Sequence, residues 1–320
     1  MTGNLTRRVA LTGLSALAVA PAFAQSGRTI TMMHGFTPGA NVDIVARLIA
    51  EHLGKRLGQT IVVESRPGAG GTIAAATVAR SVPDGATIAV LPGGHAVSAA
   101  IYNKLPYDTV EDFTFIGMLT DFPFILATYA DHPARTVADV IRSAQAPESK
   151  LTCATAGIGT GMHLAFELFA AMANVSIQHV PYRGSQQAIT DLLGKRIDFQ
   201  VDTPAALMPL IGDGQLRAIA ITGPNPFFML PGTPPIGDTV KGYAVTSWLG
   251  VAGPAGLPAP FVSRVNAELN TILAEPAVIE RLRDLGSDTR PTTPEGFKAR
   301  VADDVAKWTK LVADAKIPKV

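Results

Sequence analysis

Four short stretches carry the residues whose types and spacing could do chemistry: Thr37-Pro38-Gly39-Ala40-Asn41, Arg66-Pro67-Gly68-Ala69-Gly70-Gly71-Thr72, Gly157-Ile158-Gly159-Thr160-Gly161 and Tyr182-Arg183-Gly184-Ser185. Each stands between a strand-type run and a helix-type pattern. Glycine there turns the chain tightly and leaves backbone N–H groups at a helix start, where the helix dipole favours negative charge. Such turns can hold a small anion without arginine or metal. A nucleotide reading of Gly157–Gly161 fails, because Met162 stands where a dinucleotide fingerprint needs its third glycine and no Gly-Lys-Ser/Thr follows.

Enzyme signatures are missing from the sequence. It has no G-x-S-x-G, no H-E-x-x-H and no C-x-x-C. The six histidines show no close pair at metal-ligand spacing, and His163 at a helix start reads as structural. The single Cys153 ends an apolar strand and reads as a buried small hydrophobe. No catalytic residue, metal or cofactor is expected.

The elements that must position these loops alternate. Strand-type runs at Thr29–Met33, Thr60–Glu64, Thr87–Leu91, Phe124–Tyr129, Leu151–Thr155, Ile177–Val180, Ile197–Val201 and Leu216–Thr222 are interleaved with helical patterns, among them 41–56 and 72–82. That alternation predicts an α/β fold with mainly parallel sheets, whose ligands bind at the carboxyl ends of strands. In the first helix Val42, Val45, Ile49 and Leu53 make one apolar stripe to lay on a sheet. After Gly253-Pro254-Ala255-Gly256-Leu257-Pro258 only helical patterns are predicted. One covers 260–274. The other is opened by the cap sequence Thr293-Pro294-Glu295 and carries Phe297, Val301, Val305, Trp308 and Val312 on one face, so Trp308 is a core residue.

Arg7-Arg8, the apolar run Val9–Val19 and Ala22-Phe23-Ala24 follow the order of a secretory signal peptide cleaved after Ala24. The apolar run is too short to anchor in a bilayer core of about 30 Å. Export by the general secretory route is favoured over the twin-arginine route that Arg7-Arg8 also permits. Cleavage takes the formal charge from +1 to −1, which argues against an electrostatic nucleic-acid or membrane binder. One cysteine cannot close an internal disulfide. The fold must rest on its core, most naturally in two domains of about 100 to 200 residues each.

Beyond this pattern the chain resembles the Bug/TctC family of extracytoplasmic solute receptors, the binding components of tripartite tricarboxylate transporters, over essentially all of residues 25–320. The resemblance rests on Pro38-Gly39-Ala40-Asn41-Val42-Asp43 with Ala46-Arg47, on Gly58–Gly71 (GQTIVVESRPGAGG), and on Pro83-Asp84-Gly85. It continues through Leu105-Pro106-Tyr107-Asp108, Gly159–Leu164 (GTGMHL), Val180–Gly184 (VPYRG), and Asp191-Leu192-Leu193-Gly194 with Ile197-Asp198. It implies a two-lobed periplasmic binding protein, type II-like, with two hinge-crossing segments, near 124–128 and 246–251, and a helical C-terminal region. Lobe 1 is expected at 25–125 plus 248–320 and lobe 2 at 126–247, after the signal peptide at 1–24.

Carried over residue by residue, the resemblance implies a carboxylate held by Phe36, Thr37, Gly39, Ala40 and Asn41 from one lobe. From the other come Thr155, Ala156, Thr160, Gly161, Tyr182, Arg183, Gly184 and Asp202, with Thr203 beside it. Gly39, Ala40 and Asn41 are expected to donate backbone amides, and Thr160 and Gly161 a hydroxyl or amide. Asp43 is expected as a first-turn helix acid. Arg183 either closes over a second carboxylate or is solvated. Two positions depart from the family pattern: Ala40, where a second glycine is usual, and Ser65, where asparagine is frequent and a looser loop contact is expected. The implied function is a monomeric periplasmic receptor that delivers a small carboxylate to membrane permease subunits. Alternatives are an exported hydrolase using the same cleft and a ligand sensor facing a membrane kinase.

Overall fold

A computed structural model describes residues 29–320; the expected signal peptide and its cleavage after Ala24 lie outside the described residues. The strands form two sheets. The first runs in the order β11-β4-β10-β3-β1-β2, from β1 (Ile30–His34), β2 (Ile61–Ser65), β3 (Thr87–Pro92), β4 (Phe113–Pro123), β10 (Thr246–Pro254) and β11 (Asp288–Thr289). The second runs β7-β6-β8-β5-β9, from β5 (Ile125–Tyr129), β6 (Thr152–Thr155), β7 (Gln178–Pro181), β8 (Phe199–Asp202) and β9 (Leu216–Ile221). The chain leaves the first sheet after Pro123, enters the second at Ile125, and returns to the first at Thr246.

The helices are α1 (Asn41–Leu57), α2 (Thr72–Ala79), α3 (Gly94–Ile101), α4 (Val137–Ala144), α5 (Gly161–Ala173), α6 (Ser185–Leu193), α7 (Pro204–Gly212), α8 (Ile236–Thr239), α9 (Ala259–Ile272), α10 (Pro276–Asp284) and α11 (Pro294–Asp314). None of them is long and apolar enough to cross a membrane among the described residues.

The expectation of mainly parallel sheets is corrected. β1–β2, β1–β3, β6–β7 and β6–β8 are parallel. The pairs β3–β10, β4–β10, β4–β11, β5–β8 and β5–β9 are antiparallel. β5 pairs with β8 and β9, which come later in the chain, and β10 returns to insert between β3 and β4, so their direction is set by the route of the chain rather than by a helical crossover. The C-terminal third is likewise not purely helical, since β11 adds two residues to the edge of the first sheet.

Local sequence explains the elements that hold the loops in place. Val42, Val45, Ile49 and Leu53 are all buried under α1, each contributing on the order of 1.5–3 kcal/mol of transfer free energy. The helix stops at Gly58, whose φ of 66° favours glycine. α11 starts on Thr293, which accepts from the Gly296 N–H at 3.1 Å, followed by Pro294. Its Phe297 packs edge-on against Trp248 and Phe115, with ring centroids 5.1 Å apart in each case. A Cβ on Gly250 would lie 2.2 Å from the Phe297 ring, so this close packing requires glycine in β10. Trp308 and Cys153 are buried, as the sequence predicts.

Candidate functional site

A cavity of about 610 Å³ lies between the two sheets. Its lining includes residues from loops that follow β1, β2, β3, β6, β7 and β8. The first residues of α1, α3, α5 and α6, namely Asn41, Gly94, Gly161 and Ser185, all border it, together with Thr203 just before α7. Among the described residues no protein group accepts from the backbone N–H of Asn41, Gly161 or Ser185. Convergent helix starts with unengaged amides make an electropositive wall without a metal. Among the described residues Arg183 is the single charged side chain of the lining, and none of them adds a carboxylate, imidazole or thiol. It is exposed and makes no ion pair or hydrogen bond among the described residues. Phe36, Tyr102, Phe122, Phe124, Met162 and Leu249 form apolar wall.

The first-lobe loop is held by a buried clamp. Asp43 accepts from His34 Nε2 at 2.9 Å, from the Gly39 N–H at 2.9 Å and from Arg47 Nε at 3.0 Å. Burial opposes its charge, but Arg47, the Gly39 amide and His34 outweigh burial and hold the carboxyl below its ordinary range. Burial, helped by the Arg47 charge, lowers the His34 imidazole despite Asp43, and its Nδ1 takes the Phe36 N–H at 3.4 Å. Ser65 Oγ donates to the Phe36 carbonyl at 2.5 Å, so serine at this position ties the loop down instead of loosening it.

These bonds correct two donor assignments. The Gly39 amide is committed to Asp43 and Gly39 does not border the cavity; the Ala40 amide donates to Thr37 O at 3.1 Å. Ala40 borders the cavity, and of the three expected amides only that of Asn41 is unengaged among the described residues. The Asn41 side chain is buried, and neither its Nδ2 nor its Oδ1 has a partner among the described residues.

The second lobe shows a similar division. Ala156, Thr160, Gly161, Tyr182, Arg183 and Gly184 border the cavity, as do Phe36 and Thr37 opposite. The Thr160 hydroxyl is engaged as the cap of α5, accepting from His163 N–H at 3.2 Å and donating to Gly157 O at 2.7 Å, so it is not a free donor. Thr155 is fully buried behind the wall, its Oγ1 2.7 Å from His179 Nε2. Tyr182 offers its ring; its hydroxyl donates to Asp191 Oδ2 at 2.7 Å, and burial followed by that bond pushes the phenol up to about 12. Asp202 does not border the cavity. It is fully buried, accepts from Thr203 N–H and Gln200 Nε2 at 2.7 Å each, and burial raises its carboxyl despite these bonds.

The lobes touch at residues that border the cavity. A Cβ on Gly184 would lie 2.9 Å from Thr37 Oγ1, and one on Gly70 would lie 2.8 Å from the Ile158 carbonyl. Tyr102 Oη donates to that carbonyl at 3.4 Å. Sequence reasoning missed Gly94, Tyr102, Phe122, Phe124 and Ser247. Pro92-Gly93-Gly94 after a strand has the same form as the four loops recognised, and was a usable signal for the first of these.

The comparisons agree with this architecture. The chain is similar to R. palustris Rpa4515, solved with adipate (31% identity, TM-score 0.88, covering 93% of this chain and 100% of that one). It is similar also to the periplasmic binding protein BugD (32%, TM-score 0.86, 92% and 99%). A third match is MatC from Rhodopseudomonas palustris with bound malate (30%, TM-score 0.84, 89% and 99%). Residues 45–317 match the TctC family, described as the tripartite tricarboxylate transporter family receptor. Fold, cleft and sequence therefore meet in one assignment: the chain belongs to the TctC family of tripartite tricarboxylate transporter receptors.

Proposed function

We propose that this protein is an exported receptor that captures a small carboxylate between its lobes and passes it to the permease subunits of a tripartite transporter, without catalysis. The carrying observation is the cavity's charge pattern: unengaged amides at the starts of α1, α5 and α6 plus Arg183, with no acidic side chain in the lining. A charge-assisted hydrogen bond contributes about 1.5–3 kcal/mol, so three or four offset dehydration of a carboxylate. Adipate and malate in the similar structures fit the same ligand class. The absence of imidazole and carboxylate from the lining supports binding over a hydrolytic role. In this reading the crossings at Phe124 and between Ile221 and Thr246 are the hinge, the boundaries lie near 125/126 and 247/248, and the receptor works as a monomer in the periplasm after cleavage behind Ala24. Ligand closes the hinge by binding the closed form better than the open one.

A thermal-shift screen of the mature chain against mono-, di- and tricarboxylates tests this. A ligand at 100 times its dissociation constant stabilises by about 2.7 kcal/mol. A carboxylate that raises the melting temperature is expected; a shift with neutral sugars or cations and with no carboxylate would overturn the reading.

A further inference from the structure

His163 and Glu167 lie one helical turn apart on α5, and the His179 side chain from β7 meets them, with the two imidazole centroids 4.5 Å apart. One potential ligand atom from each of the three lies within 4.8 Å of the others. We propose that His163, Glu167 and His179 form a site for a borderline divalent transition metal, zinc above all, directly behind the second-lobe wall of the cleft.

Two imidazoles and a carboxylate suit zinc, whereas magnesium and calcium favour all-oxygen sites. His163 Nε2 and Glu167 Oε1 are 3.6 Å apart, close to the separation of two ligands held at about 2.0–2.2 Å from one ion. The three atoms span up to 4.8 Å, so the set must draw together to hold one ion, and the Glu167 side chain is one-quarter exposed. His179 has the support that metal-bound imidazoles usually show. Its Nε2 faces Thr155 Oγ1 at 2.7 Å, and with that hydroxyl as acceptor Nδ1 is left as the ligand atom. His163 Nδ1 receives the Gly159 N–H in a long 3.4 Å contact. Coordination through Nε2 moves the ring proton to Nδ1, and the contact is given up. Occupancy is thereby felt in the 157–161 loop that borders the cleft. Sequence spacing alone does not reveal the pair, because His163 and His179 are brought together only by the return of the chain from α5 to the sheet edge.

The test is calorimetric titration of zinc chloride into chelator-stripped full-length protein at neutral pH, with magnesium and calcium as controls. One zinc per chain and no response to the hard cations is expected. Glu167→Gln, at a partly exposed position, and His179→Gln should each weaken zinc binding at least about tenfold. Cobalt absorption bands that appear with the parent protein should be lost in both variants. No stoichiometric zinc binding, or binding of parental strength in Glu167→Gln, would overturn the proposal even if His179→Gln fails to fold.

Discussion

Gly184→Ala isolates lobe closure from lobe folding. Gly184 has φ 163° and ψ 167°, extended backbone that alanine adopts without strain. The three atoms nearest the added methyl all belong to Thr37, on the opposite lobe, with Oγ1 at 2.9 Å and Cγ2 at 3.4 Å. Overpacking of this kind costs about 1–3 kcal/mol, and here the cost falls on the closed form alone. Each 1.4 kcal/mol is tenfold in affinity, so the dissociation constant should rise by about 5- to 150-fold. The unliganded protein should unfold within about 0.5 kcal/mol of the parent, as for an unstrained surface change. Calorimetry with the carboxylate that gives the largest thermal shift measures the first quantity, and denaturant unfolding the second. Thr37→Ala completes a double-mutant cycle: it removes the clashing atoms, so the pair must couple by more than about 0.5 kcal/mol. Parental affinity in Gly184→Ala, or strict additivity in the cycle, would refute the closed-state contact as a determinant of binding.

Three further outcomes are expected. Asp43→Asn removes the charge that gathers His34, Gly39 and Arg47; Arg47 is more than half exposed, so the loss of stability should be about 1–3 kcal/mol, read by urea unfolding. Because the Asp43 carboxyl is held below its ordinary range, the stability it contributes is present above that range and lost as pH falls through it, and the variant should flatten that part of the acid limb. His95 is fully buried and its imidazole is lowered by burial from 6.5 to about 4, so its neutral form favours the folded state fully above pH 6.5 and this contribution, on the order of 3 kcal/mol, declines as pH falls toward 4. A stability profile flat from pH 7 to 4.5 would contradict it. Asn41→Leu replaces a buried, unpartnered carboxamide by an apolar group of similar size, and should stabilise the unliganded protein by about 1–3 kcal/mol in denaturant titration; a loss of stability would show that the carboxamide is satisfied in the free protein.

Helix α1 was legible because a single face is buried: its apolar stripe has a helical period and its end has a glycine. Strand β4 was not, since most of Phe113–Pro123 is buried on both faces and the alternation that marks a strand is absent. Helix α3 is only eight residues long and buried almost all round, so no exposed polar face marks it. Strand direction depends on where β5 and β10 insert, which no local pattern encodes. At the site, the loops could be read from glycine and helix-start grammar, but not the state of each amide. Asp43 reaches back four residues to occupy Gly39, and Thr160 spends its hydroxyl on its own helix. Such competition is decided by side-chain geometry after folding, so residue types alone overcount the donors available to a ligand.

The insertion of β10 between β3 and β4 has a consequence for biosynthesis. Among the described residues strand β4 has only β10 and β11 as neighbours, so the stretch from Phe113 to Pro123 finds no sheet partner there until Thr246 and the residues after it have been made. The first sheet therefore closes late and through contacts distant in sequence, which slows folding. A nascent chain of this design stays incompletely folded until most of it has left the ribosome, the condition in which a polypeptide can still be threaded through a membrane pore.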